Sequence, residues 1–326
     1  MDGCRVEVMN HVEKFVSAQL NKFLRPVDQI WQPADFLPDS RNINFLDEVR
    51  NLQERAKELA YDFWAVLIGD TITEEALPTY ESWLVAMEGV NQQERNGWTQ
   101  WIRGWTAEEN RHGDLLTKYL YLSGRVNMRQ VEISTQYLLK DGFDIGTAAD
   151  PYRNFIYTSF QEMATLISHK RVGNIAKKQD NPELATICNK IASDEGRHAH
   201  AYQSFVSRIL EVDPSEMMLA FADMMKKKIV MPAHYLRELG VDLGTTFNHF
   251  SDAAQRLGVY TATDYVDILE SLLKLWSIDK VADLNEAGEK ARDYLMKLPD
   301  RLRRVSERLK IPEPTYEYSW IGVRGD

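Results

Sequence analysis

The sequence predicts an all-α fold, a bundle of long helices joined by short connections. Apolar residues recur at the helical period through most of the chain, and no convincing period-2 segment bounded by turn residues interrupts them. Three helix starts share one device, an Asx residue followed by proline, at Asp150-Pro151, Asn181-Pro182 and Asp213-Pro214. The side-chain oxygen caps free N–H groups, and proline at the first helical position gives up no hydrogen bond it could have made. The helices so defined are long and the gaps between them short, which is the pattern of a bundle.

In chain order, periodicity places helices at roughly 41–60, 70–90, 98–123 and 126–141. The Asx-Pro caps then open helices at 150–178, 181–212 and 214–230, the last supported by Ser215 and Glu216. Thr261 with Asp264 forms a capping-box pattern before YVDILESLLKLW, giving a helix at 262–276. Segment 231–250 is richer in Gly and turn residues and reads as a link. No second core is visible. The chain is expected to be one domain over 1–326, with a bundle core at roughly 41–230 and a helical C-terminal part at roughly 231–326.

The 326 residues carry 39 Lys+Arg against 49 Asp+Glu, a net charge of −10, which argues against a general nucleic-acid binder. With 44% hydrophobic residues the chain can build a sizeable core. Two cysteines, Cys4 and Cys188, supply neither a disulfide framework nor a zinc ribbon, so a reducing compartment is expected. No apolar run approaches the ~20 residues of a membrane span; the longest lies around Phe63 to Gly69. The opening MDGCRVEVMN has the pattern of neither a signal nor a transit peptide, so no targeting segment is expected in this chain.

One internal repeat decides the functional reading. Residues 108–112 read EENRH and residues 194–198 read DEGRH, each within an expected long helix. Glu109 with His112, and Glu195 with His198, are three apart, so each pair shares a helix face about one turn apart. A bundle di-metal site needs one further Glu upstream of each pair. Glu74 lies 35 residues before Glu109, and Glu162 lies 33 before Glu195. Four carboxylates and two imidazoles brought to one level suit two ions of non-haem iron, with manganese possible. An iron-storing bundle would share such a site.

Ligating imidazoles need a partner on the other ring nitrogen. Asp194 and Glu108 each precede a ligand Glu, so Asp194 is expected to hold His112 and Glu108 to hold His198. Arg111 and Arg197 are expected to form ion pairs outside the site, Arg197 alternatively facing a partner. His169, seven residues after Glu162, is read as a packed or hydrogen-bonded residue, with a place above the site as the alternative.

At these residues the sequence resembles the soluble plant acyl-carrier-protein desaturases. The resemblance runs through RPVDQIWQPADFLPD (25–39), GDTITEEALPTY (69–80), WTAEENRHGDLLTKYLYLSGRV (105–126), FIYTSFQEMAT (155–165), ASDEGRHAHAY (192–202), MPAH (231–234), AQRLGVYTATDY (254–265) and SWI (319–321). It implies a ferritin-like di-iron carboxylate bundle with additional helices, whose two irons bind Glu74, Glu109, His112, Glu162, Glu195 and His198. It also implies a homodimer in the plastid stroma that desaturates an acyl chain carried on acyl carrier protein, using dioxygen and electrons from ferredoxin. Thr165 matches a hydroxyl beside the irons. Trp31 matches a tryptophan linked through Asp194 and His112 to iron, and Trp105 one packed near Glu75 and Glu109.

Such an enzyme needs an apolar tunnel past the metals. Candidate walls are Tyr80, Leu84, Met87, Phe155, Tyr157 and Tyr202, several sharing a face with Glu74 or Glu162. Three positions depart from the delta-9 stearoyl pattern: Trp83 stands where methionine is usual, Ile145 where proline is, and Asn154 where glycine is. These departures suggest a variant such as a palmitoyl delta-4 or delta-6 enzyme. Both partner proteins of the family are acidic, so Lys226, Lys227 and Lys228 and the run RLRRVSERLK (301–310) are expected docking patches.

Overall fold

The computed structural model describes residues 3–313 and 316–322, with Cys4 outside the described side chains. In chain order the helices are α1 (Gly3–Phe23), α2 (Phe45–Lys57), α3 (Tyr61–Glu74), α4 (Leu77–Val85), α5 (Gly97–Ser123), α6 (Met128–Asp141), α7 (Pro151–Lys178), α8 (Pro182–Val212), α9 (Pro214–Lys227), α10 (Thr245–Leu257), α11 (Ala262–Leu275) and α12 (Glu286–Ser306). Among the described residues the only β pairing is an isolated bridge between Val126 and Ile321.

Capping fixes the starts of the longest helices. The Asp150 side chain accepts from the N–H groups of Tyr152 and Arg153, and Asn181 accepts from Leu184, so α7 and α8 begin where their Asx-Pro pairs lie. Thr261 and Asp264 form the reciprocal capping box of α11. At 27, 28 and 31 residues, α5, α7 and α8 are long enough to carry ligands at mid-length and still pack on both sides.

α7 and α8 pack together along their length, α5 lies against α3 and α8, and these four helices form the bundle. α1 covers α5 and α8. The C-terminal elements pack on the bundle rather than apart from it: α10 on α3, α11 on α7, and α12 on α9 and α11.

The helix expected at 70–90 is two helices. Pro78, at the second position of α4, would drive its ring into the Glu74 carbonyl if the helix ran on, so α3 ends at Glu74 and the chain turns. Gly113 lets α5 close on that turn, since a Cβ there would lie 3.3 Å from the Glu74 carbonyl carbon and 3.2 Å from the Glu75 carboxyl. The 231–250 link contains the start of α10, which has glycines in the left-handed conformation at both ends, Gly244 and Gly258. Helix α1 lies in a stretch with no assigned helix, and α12 lies within the helical C-terminal part expected at 231–326.

Candidate metal centre

The end of α3 supplies Glu74, α5 supplies Glu109 and His112, α7 supplies Glu162, and α8 supplies Glu195 and His198. Their ligand atoms fall into two groups, Glu74–Glu109–His112–Glu195 and Glu109–Glu162–Glu195–His198, each with all atoms within 4.8 Å of one another. Glu109 and Glu195 belong to both. His112 Nδ1 lies 3.1 Å from Glu195 Oε1, 3.4 Å from Glu109 Oε2 and 3.8 Å from Glu74 Oε2. His198 Nδ1 lies 2.5 Å from Glu109 Oε1 and 3.8 Å from Glu162 Oε2.

These atoms face each other without hydrogen-bond geometry. Glu109 Oε1, His112 Nδ1, Glu162 Oε2, Glu195 Oε1 and His198 Nδ1 are all buried and unpartnered. Leaving so many buried polar atoms unsatisfied costs several kcal/mol, roughly 1–3 each, unless a common ligand takes them. Two divalent ions between the groups would do so, with Glu109 and Glu195 shared, and oxygen with imidazole donors suits iron or manganese.

The outward atoms are held. His198 Nε2 lies 2.9 Å from Glu108 Oε2, and His112 Nε2 lies at the long limit of 3.5 Å from Asp194 Oδ2. The same Asp194 oxygen accepts from Trp31 Nε1 at 3.1 Å and Arg111 at 3.0 Å, and Trp31 stacks on the His112 ring. Thr165 Oγ1 donates to Glu195 Oε2 at 2.7 Å. Trp105 Nε1 donates to Glu162 Oε1 at 3.0 Å, so its polar partner is Glu162 rather than Glu75. Arg197 pairs with Glu108 and Asp194 and donates to the Phe23 carbonyl, which turns its guanidinium inward and removes it from the docking candidates.

Burial and neighbouring carboxylates push Glu74 up to about 7 and hold Glu162 well above the usual carboxylate range. Glu109 falls to about 2 despite its burial, because His112 and His198 both face it; His198 in turn rises to about 9 despite its own burial, through Glu108 and Glu109. The metal-free cluster therefore holds protons near neutral pH that ligated metal must displace. Titrating the apo-protein with ferrous ion is expected to release protons, and affinity should strengthen as pH rises. Calorimetry in buffers of different ionisation enthalpy measures this, and no net release between mildly acid and mildly alkaline pH would count against it.

A cavity of about 860 Å³ runs from this centre to the surface. Glu74, Glu109, Glu195, Trp105 and Thr165 line its inner part, and α10, α11 and α12 supply apolar walls such as Phe247, Phe250 and Leu298. The exposed Lys226, Lys227 and Lys228 stand along it where α9 ends. Of the nine expected tunnel residues, Tyr80 alone is among the described residues lining it. Trp83 packs edge-on against Tyr80, Phe143 and Tyr157 beside the inner end. Leu84, Met87, Ile145, Phe155, Tyr157 and Tyr202 are core residues, and Asn154 bonds the Ala148 and Asp150 carbonyls. Helical phase put these side chains on the ligand faces, but the cavity opens toward α10–α12, whose packing periodicity does not reveal.

His169 is a partner of Glu74 that its place in the sequence does not specify: its Nε2 lies 2.9 Å from Glu74 Oε1. Its two-turn spacing from Glu162 was the available signal.

A helical bundle with a buried, duplicated carboxylate–histidine cluster opening on an apolar cavity has the ligands for two metal ions beside space for an apolar substrate, the arrangement of a bundle oxidoreductase. The family model for fatty acid desaturases matches residues 4–322. A chloroplastic stearoyl-[acyl-carrier-protein] 9-desaturase of Gossypium hirsutum is 50% identical over 324 residues, covering 97% of this chain and 81% of that protein. Stearoyl-[acyl-carrier-protein] 9-desaturase 5 of Arabidopsis thaliana is 48% identical over the same shares. A Mycobacterium tuberculosis H37Rv structure described as the acyl-ACP desaturase DesA2 superimposes with a TM-score of 0.54 at 18% identity, covering 88% of this chain and 99% of that one, a likeness of fold. The chain belongs to the fatty acid desaturase family, in its acyl-[acyl-carrier-protein] desaturase group.

Proposed function

We propose that the protein introduces a cis double bond into a saturated acyl chain held as a thioester on acyl carrier protein, with two irons, dioxygen and electrons from reduced ferredoxin, as a homodimer in the plastid stroma. The observation that carries this reading is the cavity joining a lysine-bearing rim to the shared carboxylates Glu109 and Glu195. Relatives named chloroplastic support the compartment, and exposed Ile43 and Leu46 offer apolar surface to a second copy.

Bound iron supplies the oxygen activation that an unactivated methylene C–H bond requires. The protein's own residues do the rest. Phe247, Phe250 and Leu298 bind the methylenes and exclude water. The Thr165 hydroxyl, on the cavity wall and bonded to Glu195, holds a proton beside the reacting region. Trp31, Asp194 and His112 form a continuous contact toward the outside, an electron route in keeping with the family resemblance. Lys226, Lys227 and Lys228 attract the acidic carrier protein.

The inner end bears on substrate length. Tyr80 on the cavity wall is backed by Trp83 and Phe143, and Trp83 by Tyr157, so this cluster limits the space beyond the metals and favours palmitoyl over stearoyl chains. Delta-4 or delta-6 attack would put more chain beyond the metals than delta-9 attack does, and so needs the Trp83 side chain to move. Trp83→Met is expected to shift the stearoyl-to-palmitoyl preference about tenfold toward stearoyl; an unchanged ratio would refute the plug.

The deciding experiment supplies palmitoyl-ACP and stearoyl-ACP with reduced ferredoxin and oxygen, and analyses products by gas chromatography–mass spectrometry. An unsaturated product is expected, and its double-bond position gives the regiochemistry. No product from either would favour an iron-storing role.

A further inference from the structure

The duplicated halves of the centre are not held alike. In the second half, Glu162 has its outer oxygen fixed by Trp105 Nε1 from α5, four residues before Glu109. The offset that carries Glu109 onto Glu195 carries Trp105 onto Ile191, a buried aliphatic residue with no donor to offer Glu74. The outer oxygen of Glu74 is held instead by His169 Nε2 on α7, the helix that carries Glu162, at 2.9 Å. The His169 ring is itself buried, with the Cys188 thiol beside it. Glu74 and Glu162 also differ in setting, since Glu74 lines the cavity and Glu162 does not.

We propose that His169 is a positioning residue for Glu74, doing for the cavity-facing metal position what Trp105 does for the other, so that each of the two metal positions depends on a different outer donor. The proposal rests on the di-metal reading above. With its outer oxygen engaged by His169, Glu74 presents Oε2 toward His112 Nδ1, 3.8 Å away. Without that hydrogen bond the carboxylate, standing at the last residue of α3, is free to rotate. Outer partners of metal ligands typically contribute 10–100-fold to affinity.

The test is anaerobic titration of apo-protein with ferrous ion against a chromogenic chelator, counting tight equivalents. His169→Leu, which removes the donor at similar volume, should leave one equivalent tight and loosen the other about 10–100-fold. His169→Gln, whose amide nitrogen reaches the Nε2 position, should restore most of it. Trp105→Phe should also leave one tight equivalent, and the double variant His169→Leu with Trp105→Phe should leave none. Two tight equivalents in His169→Leu, equal loosening of both, or one tight equivalent surviving in the double variant would each overturn the proposal. Should His169→Leu not fold, as judged by circular dichroism, His169→Asn, whose amide is one methylene too short to reach Glu74, carries the same decision: one tight equivalent supports it and two overturn it. Failure of the wild type to take two ferrous ions would instead sink the metal reading.

Discussion

Glu109→Ala is expected to abolish desaturation, a loss of at least about 10³-fold, and to remove both metals together rather than one. The reason is geometric: Glu109 contributes to both ligand groups, whereas Glu74 and Glu162 each contribute to one. Its two oxygens face different imidazoles, Oε2 toward His112 and Oε1 toward His198. Metal analysis should therefore find neither ion in Glu109→Ala and one in Glu74→Ala, with product formation at background in both. The metal-free protein should lose stability as well, because Glu109 is the carboxylate that His112 and His198 both face, and its removal leaves two buried imidazoles without their shared partner. Retention of two irons by Glu109→Ala would show that Glu109 serves the fold rather than the metals.

The cluster of six carboxylate and imidazole residues was legible because it rests on short-range rules. Glu-x-x-His is a helical spacing, Asx-Pro caps fix where α7 and α8 begin, and the repeat supplies its own internal check. The break after Glu74 was also written in the sequence: Pro78 stands four residues on, where its ring excludes the Glu74 carbonyl. Apolar periodicity that continues through α4 masks it. What could not be read is which helices face each other. The cavity lies where α10, α11 and α12 fold back on α3, α7 and α9, so tunnel candidates chosen by phase on α4 and α7 proved, Tyr80 apart, to be packing. Arg197 shows the same limit, since a surface role and a buried ion pair have one local pattern and only the approach of α5 to α8 separates them.

Asp194→Asn is expected to cost about 3–5 kcal/mol of stability, as removal of one partner from a buried charge network does. Asp194 is almost fully buried and accepts from Trp31, Arg111 and Arg197 while facing His112. Asparagine keeps the shape but leaves two guanidinium groups sharing the single carboxylate of Glu108. Burial alone would raise the Asp194 carboxyl; the His112 hydrogen bond and the charges of His112 and Arg197 outweigh it and hold the group below the usual carboxylate range. Because the folded-state value is depressed, the stabilisation is fully present above the ordinary aspartate range and is lost as pH falls through the folded value. The gap between wild type and Asp194→Asn, measured on apo-proteins by denaturant unfolding, should therefore be widest near neutral pH and narrow in acid. The same substitution weakens the hold on His112 Nε2, so the ferrous equivalent at the Glu74–His112 position should bind more weakly while the Glu162–His198 position keeps its affinity. A gap independent of pH would mean that the network is maintained by packing, with the Asp194 charge contributing little.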